Sequence, residues 1–291
     1  MDLGDLEIFR AVVEQGGIVR AARTLHRVQS NVTTRIKQLE ESVGTQLFFR
    51  SRQKLQLTPD GAVLLSYAVR LLQLADDARA SIGSGAALSG TLKLGALEST
   101  TASRLPDLLV EFHAQHPEVR VELVTATNDA LVRMLSERRI DAAFVAEVPA
   151  SSAIEHLPAF TEKLVLVSSL AHRRIAGPKD IASDTVIAFP TGCAYRRVFE
   201  RWIGDRGLVS VRVLEIGSYH AIVACAASGT GVAIVPESVL EVVRRDLVAC
   251  HRLPQVLSKV TTPFIWRKAE STAAVKALME LVRKHRKADF K

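Results

Sequence analysis

The hydrophobic periodicity of the chain changes once, near residue 91, and that change limits the folds open to it. Before it, apolar residues recur at helical steps. Leu3, Leu6, Phe9 and Val13 run up to Gly16-Gly17; Ala21, Ala22 and Leu25 mark a short helix expected over Arg20 to His26; Val32, Ile36, Leu39 and Val43 form one helix face ended by Gly44. After it, TLKLGAL, VRVELVTA, DAAFVAE, KLVLVSS, TVIAFP, VRVLEIG, GVAIVPE and TTPFIW read as buried strands. Helical stretches such as Leu105 to His116 and Ala221 to Ser228 lie between several of them. The expected fold class is α+β multidomain, a helical module followed by an α/β region. With 291 residues, 48% hydrophobic and 24% charged, the chain can bury two ordinary cores.

Several function classes fall away on composition. Mean hydropathy is +0.15, yet no stretch reaches the roughly 18 consecutive apolar residues of a spanning helix. The first residues, MDLGDLEIFR, are acidic where a signal peptide would be basic, so a cytoplasmic location is expected and no membrane partner. Cys193, Cys225 and Cys250 are odd in number and form no C-x-x-C, which points to neither a disulfide framework nor a zinc site. The eight histidines lack H-x-x-x-H spacing, so no metal is expected. Ser228-Gly229-Thr230-Gly231 lacks the flanks of a nucleophile elbow and no phosphate-binding glycine-lysine loop occurs, so no catalytic residue and no cofactor are expected, and the chain does not read as an enzyme.

Charge distribution is more informative than its total. Of the net +7, residues 20–54 hold +6, from eight lysines and arginines against Glu40 and Glu41. A solvated basic face would account for this, as would a footprint for a polyanion. The helix whose apolar face is Val32, Ile36, Leu39 and Val43 carries Ser30, Thr33, Thr34, Lys37 and Glu41 on its other face. Phe48 and Phe49 then anchor a hairpin whose tip, Arg50 to Lys54, is basic. Three short helices and a basic hairpin make a winged helix-turn-helix. Thr58-Pro59-Asp60 opens a further helix, to about Ile82, with a hydroxyl N-cap, proline at the first position and an acid in the first turn. Along it Leu64, Tyr67, Leu71, Leu74 and Ala78 are spaced 3, 4, 3 and 4, beside a second stripe of Leu65, Ala68, Leu72 and Ala75. Two apolar stripes call for a partner, either the helix's own domain or, as heptad spacing favours, a second copy. The segment GSGAALSG follows as a flexible linker.

The runs LEIFRAVVEQGG, AARTLH, VQSNVTTRIKQLEESVGTQLFFR and LTPDGAVLL, in this order and spacing, resemble the LysR-type transcriptional regulators of bacteria. SGTLKLGAL, LPDLLVEFHAQHPEVRVEL, RRIDAAFVAE and ASGTGVAIVPES resemble segments of that family's effector-binding domain, so the likeness spans the chain. It implies a DNA-binding domain over 1–57, a linker and dimerisation helix with hinge over 58–90, and an effector-binding domain over 91–291. The last would resemble a type 2 periplasmic binding protein with two Rossmann-like subdomains, I over about 91–162 and 267–291 and II over about 163–266. KLVLVSS and TTPFIW are placed to be its crossing strands. Two departures stand out. Gly17 and Val19 occupy a turn that usually carries hydroxyls, which removes a helix cap of about 1 kcal/mol. Asn31 and Thr33-Thr34 stand where many members carry a serine-arginine pair after prolines.

The resemblance implies sequence-specific binding to double-stranded promoter DNA, a small-molecule effector, a homodimer or dimer of dimers, and RNA polymerase as a further partner. For the DNA contact the residues are Arg27, Gln29, Ser30, Asn31, Thr33, Thr34, Arg35 and Lys37, with Arg50, Arg52 and Lys54 on the wing. Gln29 suits an adenine edge, Arg35 guanine or phosphate, and the wing cations phosphate. Leu64, Tyr67, Leu71, Leu74 and Ala78 are the expected dimer seam. Hydroxyl-bearing turns before helices, Ser99-Thr100-Thr101, Thr191-Gly192-Cys193 and Ser218-Tyr219, together with Ala146, are expected to hold the effector. Helix N-termini favour anions, so an anionic metabolite is expected there, between apolar walls from Phe144 and Phe160. Cys193 reads more readily as a packed thiol than as a redox sensor. A transport-type solute-binding protein would not need the basic N-terminal residues, and an α/β enzyme would need a catalytic constellation that cannot be assembled from these residues.

Overall fold

The computed structural model describes residues 1–49, 55–81, 88–181, 185–204 and 212–288. The chain divides into two compact units, Met1–Ala86 and Ala87–Lys291. Among the described residues no helix is long and apolar enough to cross a membrane.

In the first unit α1 (Leu3–Glu14) begins with a reciprocal cap: the Asp5 amide donates to Asp2 Oδ1 at 2.8 Å and the Asp2 amide donates to Asp5 Oδ2 at 3.0 Å. The second helix, α2 (Ile18–Thr24), starts two residues before the expected Arg20, straight from Gly17, and has no side-chain cap. Ala21 and Ala22 are buried, and their small size admits the neighbouring helices closely. After a turn, α3 (Gln29–Val43) buries Val32, Ile36 and Leu39 and stops where Gly44 takes a left-handed φ of 75°. Strands β1 (Phe48–Phe49) and β2 (Gln56–Leu57) pair antiparallel as the base of the wing. Glu40 of α3 ties this base down, accepting from the Leu47 amide at 2.8 Å, and Phe48 meets Phe9 edge-on at 5.5 Å.

Thr58 opens α4 (Pro59–Ser81) in the expected way, its Oγ1 accepting from the Gly61 amide at 3.0 Å. Gly61 has a steric role, since a Cβ there would lie 2.2 Å from the Leu47 carbonyl oxygen. The two apolar stripes of α4 part company beyond their first turn. Ala68 and Leu72 are buried in the core of the helical module, and Leu65 packs against it together with Leu64 of the expected seam, whereas Tyr67, Leu71 and Leu74 are 53%, 38% and 65% exposed.

The second unit opens with β3 (Gly90–Ala96), α5 (Glu98–Ser103), α6 (Leu105–Gln115), β4 (Val119–Thr125), α7 (Asn128–Ser136) and β5 (Ala142–Phe144). A long strand, β6 (Ile154–Ser169), leads to β7 (Thr185–Ala188), α8 (Ala194–Ile203), β8 (Arg212–Glu215), α9 (Tyr219–Ala227) and β9 (Ala233–Pro236). Next come α10 (Glu237–Val242), β10 (Val248–Arg252), α11 (Gln255–Ser258), β11 (Lys259–Arg267) and α12 (Ala273–Ala288). Strands β4, β3 and β5 run parallel, β11 joins β5 antiparallel, and β6 pairs with β11 as far as Lys163. From Leu164 onward β6 changes neighbours and lies between β9 and β10. Parallel β7 and β8 join β9 through a bridge between Val186 and Val232.

Two main cores result, one on each side of the β6 and β11 crossings, beside a smaller cluster around Leu131, Leu135, Val145 and Ile265. Leu94, Phe112, Phe144, Phe264, Trp266 and Leu278 fill the first, and Leu166, Phe199, Ile222, Val232, Val235 and Val239 the second. Each fully buried Phe or Leu contributes about 1.5–3 kcal/mol relative to exposure, so each half carries its own stabilising core. The crossing strand begins at Ile154, nine residues before the expected KLVLVSS. The stretch IEHLPAFTE alternates too irregularly, with a proline, to read as a strand on its own. Strand β10, carrying Cys250 and His251, went unread for the same lack of an apolar run.

Candidate functional site

Two sites follow from this framework. On the helical module, Gln29, Ser30, Asn31, Thr34 and Lys37 of α3 are exposed on one side, with Arg27 just before the helix. The Arg27 guanidinium donates to Asn31 Oδ1 at 3.5 Å, and Thr33 Oγ1 donates to the Gln29 carbonyl at 2.9 Å, which leaves the Thr33 methyl as its outward group. Arg35, expected at the DNA, is ion-paired within the module. Its Nε lies 3.1 Å from Asp5 Oδ1 and its Nη2 3.3 Å from Asp2 Oδ2, so the guanidinium ties α3 to the start of α1. The Asp5 amide first, and Arg35 with it, hold the Asp2 carboxyl below its usual range. Arg50, Arg52 and Lys54 lie outside the described residues.

In the second unit a cavity of about 190 Å³ opens between the two subdomains. Its wall is built from segments that follow strand ends: Leu97 to Ser99 after β3, Thr125 to Asn128 at the end of β4, Ala146 after β5, Phe189 and Pro190 after β7, and Gly217 and Tyr219 after β8. This is the crevice at the carboxyl edges of parallel strands where open α/β sheets receive ligands. Cys193, Ala194 and Tyr195 at the start of α8 complete it. Of the expected effector residues, Ser99, Ala146, Cys193 and Tyr219 line the cavity. Thr100, Thr101, Thr191, Gly192 and Ser218 do not.

The reason is local. Ser99, Thr100 and Thr101 belong to α5 itself rather than to a turn before α6, so successive side chains point in different directions. Thr100 is 2% exposed, and Thr101 donates back to the Leu97 carbonyl at 3.1 Å. Ser218 precedes the first residue of α9 without capping it, and the exposed Thr191 sits on the outer side of its turn. Phe144 and Phe160 are core residues and not cavity walls: Phe144 stacks on Phe160 at 5.4 Å and meets Phe264 at 4.8 Å inside the first subdomain.

Electrostatically, the cavity has an acid, Glu98, in its wall. Its Oε1 accepts from the Tyr219 amide at 3.3 Å, spanning the cleft from α5 to α9, while its Oε2 is buried with no hydrogen-bond partner among the described residues. Burial pushes its carboxyl pKa up, against the opposing pull of the Tyr219 amide and His220. Among the described residues no lysine or arginine lines the cavity. Arg197, near its rim, is engaged with Glu147 at 2.7 Å. Asn128 is committed to structure, its Oδ1 accepting from the amides of Ala146 and Glu147, each at 3.0 Å. Burial raises the pKa of the Cys193 thiol and of the Tyr195 and Tyr219 hydroxyls, so all three remain protonated. A thiol held protonated is a poor nucleophile and supports the packed reading of Cys193. Among the described residues no three His, Cys, Asp or Glu side chains are grouped to hold a metal ion.

Two family models match the chain. Residues 3–62 match the bacterial regulatory helix-turn-helix protein of the lysR family, and residues 85–287 match the LysR substrate binding domain. Among curated relatives, the transcriptional regulator GltR of Bacillus subtilis is 33% identical over 98% of this chain and 97% of its own length. The regulator CzcR of Bacillus thuringiensis subsp. konkukian is 33% identical over 98% of each. Among solved structures, full-length CbnR in complex with its target DNA is 26% identical, covers 98% of this chain and 99% of its own, and superposes with a TM-score of 0.66. A full-length OxyR variant from Pseudomonas aeruginosa, at 21% identity with 97% and 95% coverage, shares the fold with a TM-score of 0.76. These likenesses describe regulators rather than enzymes. The chain belongs to the LysR family: it is a DNA-binding transcriptional regulator with an N-terminal helix-turn-helix and a C-terminal effector-binding domain.

Proposed function

We propose that this regulator acts in the cytoplasm as a homo-oligomer, reads operator DNA with the exposed side of α3, and answers to a small molecule in the cleft cavity. One observation carries the proposal: a single cavity of about 190 Å³ has walls from both subdomains, Ser99 and Thr127 on one side and Cys193 and Tyr219 on the other. A ligand held there touches both halves at once. It therefore favours the subdomain placement that gives it most contact, and the population shifts toward that placement.

For DNA, one α-helix fits the major groove, and Gln29, Ser30, Asn31, Thr34 and Lys37 offer base-edge and phosphate donors on one exposed side. Arg50, Arg52 and Lys54 supply the sequence-independent grip. Oligomerisation is assigned to the exposed stripe of α4, because an apolar row of Tyr67, Leu71 and Leu74 beside a row already buried is a surface suited to a second copy. RNA polymerase is the remaining partner proposed, as the target through which promoter-bound protein would change transcription.

The test is a thermal-shift screen of small metabolites on the full chain, followed by DNA-binding titrations with each hit. A ligand at 100 times its Kd adds about 2.7 kcal/mol of stability, ample to detect. A hit that also alters operator affinity or bend supports the proposal. A set of cavity ligands that change neither overturns the effector role.

A further inference from the structure

The charge on the cavity wall narrows the ligand. A carboxylate withdrawn from water needs hydrogen bonds to both oxygens or a countercharge. Glu98 has half of this. Its Oε1 receives the Tyr219 amide across the cleft, so the start of α9 already has its anion supplied by the chain. Its Oε2 is buried with no hydrogen-bond partner among the described residues, and the residue itself lines the cavity. The Tyr195 hydroxyl in the same wall is likewise buried without a hydrogen-bond partner among the described residues, so it does not pair with Oε2. Asn128 is occupied by two backbone amides, the Arg197 guanidinium by Glu147, and among the described residues no lysine or arginine lines the wall. Most of the remaining surface is carbon, from Leu97, Ala126, Ala146, Phe189, Pro190 and Ala194. An incoming carboxylate would meet Glu98 as a like charge in a medium of low dielectric, which disfavours it.

Resting on the reading of this cavity as the effector site, we propose that the effector carries a protonated amine that donates to the free oxygen of Glu98, with an apolar body against Phe189, Pro190 and Leu97. The amine supplies both the missing hydrogen bond and the missing charge. A bond of this kind, between an ammonium and a desolvated carboxylate, is about twice as strong as a neutral one. The size is also bounded. An apolar cavity of about 150 Å³ holds benzene, so 190 Å³ accommodates a single ring or short aliphatic chain with one polar end.

Three probes of matched shape separate the alternatives: phenethylamine, phenethyl alcohol and phenylacetate, each titrated into the full chain and followed by thermal shift and calorimetry. The expected order of affinity is amine, then alcohol, then acid, with about tenfold or more between amine and acid. In Glu98→Gln, which keeps an acceptor for the Tyr219 amide, the amine should lose about tenfold and the acid should gain. Phenylacetate binding as well as phenethylamine, or an amine whose affinity is unchanged in Glu98→Gln, overturns the amine assignment while leaving the cavity a ligand site. If none of the three binds at millimolar concentration, the cavity reading falls with it.

Discussion

Arg104 and Glu162 form a two-pronged ion pair, Nε to Oε1 at 2.7 Å and Nη2 to Oε2 at 3.3 Å. Ser238, the second residue of α10, donates to the same carboxylate at 2.7 Å, so one buried acid on the crossing strand holds both subdomains. Removing the cation strands that charge. Arg104→Met should destabilise the effector-binding unit by roughly 3 kcal/mol, the low end of the range for a broken buried pair because Arg104 keeps 30% of its side chain exposed. Adding Glu162→Gln should restore part of the loss. Urea melts of the two variants check this, and a double variant weaker than Arg104→Met would contradict it.

The parted stripes of α4 predict opposite phenotypes from adjacent residues. Leu71→Glu places a charge on the exposed stripe, where it would be buried unpaired against a second copy, so sedimentation at micromolar concentration should show separated chains with an unchanged melt of the monomer. Leu72→Ala opens a cavity in the helical module instead and should cost about 2–5 kcal/mol. An intact oligomer in Leu71→Glu would move the seam elsewhere.

Much of this architecture was legible because it rests on short-range rules. Gly44 ended α3, Thr58 and Pro59 opened α4, and alternating apolar runs located most strands. The cavity was harder to read. Thr100 looked equivalent to Ser99 in sequence, yet one residue of helix turns a side chain by about 100°, which carries Thr100 into the core. Glu98 went unnoticed because an acid at the first position of a helix is what the helix dipole alone would favour. A stronger signal was present in the strand ends: residues just after β3, β4, β7 and β8 supply much of the cleft lining, so strand assignment alone narrows where to look. The commitment of Arg35 to Asp5 depends on how α3 crosses α1, a tertiary fact that no local pattern in either helix carries.

That commitment is itself testable. Arg35→Ala removes the partner of Asp5, a side chain only 9% exposed, and should lower the melting temperature of the DNA-binding unit. Gln29→Ala and Lys37→Ala, on the exposed side, should leave the melt within about 0.5 kcal/mol of the parent and act only on DNA. In salt titrations Lys37→Ala should flatten the slope of log affinity, and Gln29→Ala should relax base choice with the slope kept. An Arg35→Ala protein that melts like the parent but loses guanine preference would return this residue to the DNA contact.

Glu98 should also leave a mark on the pH dependence of stability. Its carboxyl pKa is raised in the folded chain by burial, so the folded state holds the proton more tightly than the unfolded one. The contribution is fully present below the unfolded value and is lost as pH rises through the folded value. Ligand-free Glu98→Gln should therefore be more stable than the parent at neutral pH, and the gap should close as pH falls toward the ordinary carboxylate range. Acids held low by partners, such as Glu237 beside Lys163, lose stability over the same descent in both proteins and cancel in the difference. The Tyr219 and Cys193 side chains stay protonated throughout. The pull of His220 on Glu98 is removed by making the comparison in a His220→Asn background. A gap that stays constant from neutral to acid pH would mean that Glu98 pays no desolvation cost in the empty cavity, and the argument for an amine in the effector would lose its electrostatic basis.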